Sequence, residues 1–333
     1  MPETYSGYRL SKNKHNLFLT AKEMKAKGYL LAALAAATYG TNPAFAVPLY
    51  EDGMNACSVL LFRYVLGLPI LAAMIFARGR NLRLPKGSLL PVATLGILMG
   101  LSSLSLFESY NYMNSGIAST LLFIYPIMVA VIMMIFYREK FKAVTALCLV
   151  LMSGGVALLA KTSGGVTLST TGILLVMASA LTYALYIVIV NVSSKVKGIP
   201  TTVLLFYQLL FGSLVFVIPV LCGTQLTMPP HWYNWINVVS LAVLPTVISL
   251  TCTTLAIQYV GATPTAILGA LEPVTAVVLS VVILDQGLTA REVYGGLLIV
   301  VATTLVIASD PIEHLLLRVR KMFPPLRKHR QKG

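Results

Sequence analysis

The sequence predicts an all-α integral membrane protein of ten transmembrane helices arranged as two inverted five-helix repeats, and three observations carry that prediction. Hydrophobic residues make up 57% of the chain and charged residues 11%, with a mean hydropathy of +0.82, far from the soluble average. Apolar runs of about 20 residues, the length a helix needs to cross about 30 Å of hydrocarbon, recur with short polar breaks. The second five runs read as a weak copy of the first five.

The first span, 28–50, follows a basic stretch and ends in small residues, as a signal peptide does. Residues 28–66 nevertheless align without a gap to 172–210, matching Gly28 with Gly172, Thr38 with Thr182, Tyr39 with Tyr183 and Leu60-Leu61-Phe62 with Leu204-Leu205-Phe206. A cleaved leader has no reason to match an internal helix, so 28–50 is read as a span, interrupted at Asn42-Pro43. The second, 56–77, carries Phe62-Arg63-Tyr64, with Arg63 about two turns in from one end. The third, 88–112, combines Gly96 and Gly100, a spacing that permits close helix approach, with Glu108, Tyr110, Asn111 and Tyr112 near its end. The fourth, 115–136, holds Tyr125-Pro126 near its centre, and the fifth, 143–160, is apolar throughout.

The sixth span, 171–193, copies the first and adds Tyr186; the seventh, 201–222, carries Tyr207. The eighth, 234–258, closes on Gln258 with Tyr259 beyond it, matching Asn111 and Tyr112 of the third. The ninth, 262–284, places Glu272-Pro273 where the fourth has Tyr125-Pro126, and the tenth is 290–309. Basic tails at 1–27 and 310–333 flank the two copies, 28–160 and 171–309.

Charge sets the topology. Of 25 Lys and Arg residues, 22 fall on the tails and alternate loops of one side, leaving Lys161 and Arg291 on the other and Arg63 inside a span. By the positive-inside rule both termini are cytoplasmic, which requires an even number of spans. Five spans per copy then force the second copy to enter the membrane in the opposite sense. The net charge of +14 is a topology and lipid-headgroup feature, not a nucleic-acid footprint.

The run from Ile124-Tyr125-Pro126 to Tyr137-Arg138-Glu139, repeated from Leu271-Glu272-Pro273 to Leu284-Asp285-Gln286, resembles the EamA repeat, and the chain is similar to bacterial drug/metabolite transporters over 28–309. The resemblance implies a secondary carrier, an exporter of amino acids, metabolites or toxic compounds, in the bacterial inner membrane. Gln286 stands where the family usually has Glu. A channel or a membrane-embedded scaffold is the alternative.

Proline deprives a helix of a backbone hydrogen bond, so Pro126 and Pro273, in register in the two copies, mark where a solute would meet broken helices. An intramembrane charge costs about 2.5–3.5 kcal/mol on insertion scales, and each needs an account. Glu272 is expected to bind a cationic group or to carry the driving proton. Glu108 faces interfacial water or the cavity, and Arg63 snorkels or pairs with Glu108. Tyr39, Asn42, Tyr125, Tyr183, Tyr186, Asn111 and Gln258 complete the expected lining, which suits a small organic solute better than a bare ion. The four His lie outside the predicted spans, and no zinc-protease, nucleophile-elbow or ATP-binding run occurs. The sequence therefore predicts no enzyme, no cofactor and no metal, with the bilayer and a solute as partners and either a monomer or a homodimer as the working form.

Overall fold

A computed structural model of the chain describes residues 23–109, 111–113, 118, 121–140, 142–159, 169–284 and 290–322. Among these residues the regular structure is helical, without strands. Six helices are long and apolar enough to cross a membrane: α1 (Glu23–Glu51), α2 (Ala56–Ala77), α3 (Leu89–Ser109), α6 (Thr170–Val192), α7 (Thr201–Leu221) and α8 (Trp232–Val260). Shorter helices fill the rest: α4 (Tyr125–Tyr137), α5 (Ala143–Leu159), α9 (Ala262–Leu268), α10 (Leu271–Leu284) and α11 (Ala290–Met322), whose apolar part is Val293–Ile307. Two boundaries differ from expectation. The first helix begins within the predicted N-terminal tail, at Glu23, and the last continues to Met322, well past residue 309.

Glycine sets how closely the helices approach. Gly96 and Gly100 of α3 lie against the backbone of Gly212 in α7, so close that an added methyl at Gly96 would come within 2.7 Å of the Gln208 carbonyl. The Gly96 and Gly100 spacing thus serves packing inside the chain. Gly155 of α5 meets Gly295 of α11 in the same way.

Several contacts repeat when the two sequence copies are exchanged. Gly28 packs on Tyr259, and Gly172 packs on Tyr112. The Ser249 hydroxyl donates to the Ala35 carbonyl at 2.9 Å, and its counterpart Ser102 donates to the Ser179 carbonyl at 3.1 Å. Helices α1 and α8 therefore meet as α6 and α3 do.

The prolines stand where helices are interrupted, each in the first turn after the break instead of inside a continuous helix. Pro43 and Pro126 occupy the first turn of the helices they sit in, where the missing N–H leaves no bond unmade. Pro273 likewise stands in the first turn of α10, just after a break at Gly269–Ala270. Each site is a helix start after an interruption, and in α1 the interruption is the turn at Gly40–Thr41. A separate distortion was not anticipated: α8 widens into a π-helical stretch, Ala242–Ile248, around Pro245.

Candidate functional site

The interruptions meet. Gly40 lies so close to the Glu272 carbonyl that a methyl there would stand 2.6 Å from it, and Gly269 abuts the Tyr125 hydroxyl. Only the absence of a side chain at these two positions lets α1 approach α10 and lets α4 approach the α9–α10 break.

At this junction is a small cavity of about 20 Å³, room for about one water. Its wall takes Ala32, Ala35, Ala36 and Tyr39 from α1, Tyr125 from α4, and Tyr183 and Ile187 from α6. Ser249 and Thr253 of α8, Thr265 of α9, Gly269 and Glu272 complete it. Both sequence copies thus contribute. The Tyr125 and Tyr183 rings meet edge to face, 4.8 Å apart, and Tyr183 stacks on Tyr186 at 6.0 Å. The Tyr125 hydroxyl donates to the Ala266 carbonyl at 3.2 Å, tying α4 to α9.

Arg63 neither snorkels nor bonds to Glu108. It is 1% exposed, and its Nε donates to Thr246 Oγ1 at 2.5 Å. Its Nη2 donates to the Pro245 carbonyl at 3.2 Å and its Nη1 to Asn42 Oδ1 at 3.3 Å. The guanidinium carbon lies 5.6 Å from the centre of the Tyr39 ring. Two of these acceptors, the Thr246 hydroxyl and the Pro245 carbonyl, lie in the π-helical stretch. Thr246 in turn donates to the Leu241 carbonyl at 2.8 Å, five residues back, as a π turn allows.

The structure gathers Tyr39, Tyr125, Tyr183 and Glu272 at the cavity, with Asn42 and Arg63 behind Tyr39. Pro126 and Pro273 flank it as helix-start residues. Tyr186 stands one layer back, donating to Gln208 Oε1 at 3.4 Å. Glu108 and Asn111 lie away from the cavity and bond to each other at 3.0 Å. Gln258 is exposed, Tyr207 ties down the Leu82 carbonyl at 2.8 Å, and Tyr110 and Asp285–Gly287 lie outside the described residues. Sequence reasoning missed Ser249, Thr253, Thr265 and Thr246. Ser249 and Thr253, four apart on an apolar helix, share one face, and that spacing was the available signal.

The EamA-like transporter family model matches the chain twice, over residues 26–161 and 170–308. An uncharacterized transporter of Bacillus subtilis (strain 168), YdfC, is 27% identical over 252 residues, spanning 75% of this chain and 81% of its own length. A solved crystal structure aligns with a TM-score of 0.70 at 19% identity, over 84% of this chain and 97% of that one, a likeness of fold alone.

Proposed function

Because the chain belongs to the EamA-like transporter family and is a multi-pass membrane transporter, we propose that it is a secondary carrier of small organic solutes, an exporter of amino acids, metabolites or drugs driven by a proton or solute gradient. It works by alternating access. Its ten spans form two copies, 28–160 and 171–309, that enter the bacterial inner membrane in opposite senses, with the basic tails 1–27 and 310–333 in the cytoplasm.

Exchange of the copies maps the Gly28 contact on Tyr259 onto the Gly172 contact on Tyr112, as a two-fold axis would. With five spans per copy that axis lies in the membrane plane, and inverted halves create two openings that alternate. This reciprocity supports the inverted arrangement.

The carrying observation is the cavity itself, walled by both copies where three helices are interrupted. At about 20 Å³ it corresponds to a closed state that must widen to admit a solute. Tyr39, Tyr125 and Tyr183 offer aromatic faces and hydroxyls, Ser249, Thr253 and Thr265 offer hydroxyls, and Glu272 offers a carboxylate for a cationic group or for the driving proton.

The test is a thermal-shift screen of the purified protein against amino acids, other polar metabolites and cationic drugs, repeated on Glu272→Gln. A solute at 100 times its dissociation constant adds about 2.7 kcal/mol of stability. Stabilisation lost in Glu272→Gln supports the site; stabilisation retained in full removes Glu272 from it.

A further inference from the structure

The loops that follow α2 and α7 carry one pattern, Gly79-Arg80-Asn81-Leu82-Arg83-Leu84-Pro85 in the first and Gly223-Thr224-Gln225-Leu226-Thr227-Met228-Pro229 in the second. Both glycines take a positive φ, 61° and 109°. The match keeps the register of Thr38 with Thr182, which also pairs Ser58 with Thr202 and Arg63 with Tyr207. The loops stand at opposite ends of the α2–α7 pair, because 222–231 bonds to Asn55 at the start of α2 while 78–88, beyond the other end of α2, bonds to α7.

Matched peptides of the two loops are held in different ways. The one between Leu226 and Thr227 is gripped by its N–H, which donates to Ser58 Oγ at 2.9 Å. Asn55 reinforces the grip: its backbone N–H donates to Thr227 Oγ1 at 3.1 Å and its Nδ2 to the Gln225 carbonyl at 2.6 Å. The peptide between Leu82 and Arg83 is gripped by its carbonyl instead, which accepts from the Tyr207 hydroxyl at 2.8 Å. The anchor left over at that end is Thr202, the counterpart of Ser58. It is 1% exposed, and its hydroxyl has no hydrogen-bond partner among the described residues. Pro229 is buried and its match Pro85 exposed, so 222–231 is seated more deeply than 78–88. A buried hydroxyl without a partner is costly, and it calls for a state in which it is paired. Exchanging the conformations of two inverted copies turns a carrier to face the other way. We infer that the two loops are paired straps of one switch, each seen here in one of its two positions. As the carrier turns over, Tyr207 releases the Leu82 carbonyl and the Arg83 N–H docks on Thr202, while Thr227 leaves Ser58. The straps fasten alternately at the two ends of the α2–α7 pair. Their alternation rests on the carrier reading; the docking of 78–88 on Thr202 does not.

The experiment is amide hydrogen exchange of the full chain in lipid discs, read on peptides covering 78–88 and 222–231. Ser58→Ala should speed exchange of 222–231 several-fold and at the same time slow that of 78–88. In Ser58→Ala/Thr202→Val the slowing of 78–88 should vanish, because its second anchor is gone. Thr202→Val alone loses no bond of the observed state, so it should melt no lower than wild type and should slow exchange of 222–231 by removing the competing position. It carries the test by itself should Ser58→Ala fail to fold. Unchanged exchange of 78–88 in Ser58→Ala, slowing that survives Thr202→Val, or unchanged exchange of 222–231 in Thr202→Val would overturn the inference. Reciprocal exchange without solute counterflow would instead count against the carrier reading alone.

Discussion

The Tyr125 hydroxyl donates to the Ala266 backbone carbonyl at 3.2 Å and so holds α9 against α4 beside the cavity. A single hydrogen bond of this kind contributes about 0.5–1.5 kcal/mol, enough to bias the position of α9 without locking it.

Tyr125→Phe should therefore loosen α9. In a background with Cys57, Cys148, Cys222 and Cys252 replaced by alanine, Thr265→Cys should react with a membrane-impermeant thiol reagent several-fold faster when Tyr125→Phe is also present. An unchanged rate would mean that the hydroxyl does not hold the helix.

Gly269→Ala should crowd the same contact, because a methyl there overlaps the Tyr125 hydroxyl. Transport is expected to fall steeply in Gly269→Ala and to recover in part in Gly269→Ala/Tyr125→Phe, where the obstructing oxygen is gone. Strict additivity of the two effects in a double-mutant cycle would contradict the contact.

Arg63→Lys should destabilise the protein even though the charge is kept. Lysine cannot reproduce a fork that reaches Thr246, Pro245 and Asn42 together, and each hydrogen bond lost to a charged group costs about 1.5–3 kcal/mol. Thr246→Ala removes one partner and should cost less. Melting temperatures in detergent give the order, and equal melting of wild type and Arg63→Lys would refute the buried network.

Two glycine substitutions should diverge. Gly212→Ala forces a methyl to within 2.8 Å of the Tyr64 ring and 2.9 Å of the Gly96 carbonyl, so the melting temperature should drop. Gly154→Ala meets open space, and helix propensity should raise stability by up to about 1 kcal/mol. The same melting series decides both.

Apolar runs, loop charges and the internal copy all report on burial in lipid, which sequence records directly, and so the helical membrane class and the family were legible. Tyr39, Tyr125, Tyr183 and Glu272, which line one cavity, stand out in the sequence because repeat-matched polar groups in apolar spans are costly and conspicuous. The Arg63 network was not found, since it depends on the π-helical widening around Pro245, a local choice that propensity does not encode. Of the readings of Glu108, only the pairing with Arg63 fails: its carboxylate accepts from Asn111 one turn away in an exposed bond, while Arg63 is engaged by Thr246, Pro245 and Asn42. The prolines were read as breaks within helices because their register was visible while the turns at Gly40–Thr41 and Gly269–Ala270 that precede two of them were not.

The most direct test of the carrier account is solute counterflow in proteoliposomes, using the solute that stabilises the protein most. Vesicles loaded with unlabelled solute should transiently accumulate labelled solute against its gradient with wild type, and Glu272→Gln should abolish proton-driven accumulation while the protein still reconstitutes and melts normally. Rapid equilibration without counterflow would identify a channel, and undiminished proton-driven uptake by Glu272→Gln would contradict the placement of coupling at the cavity.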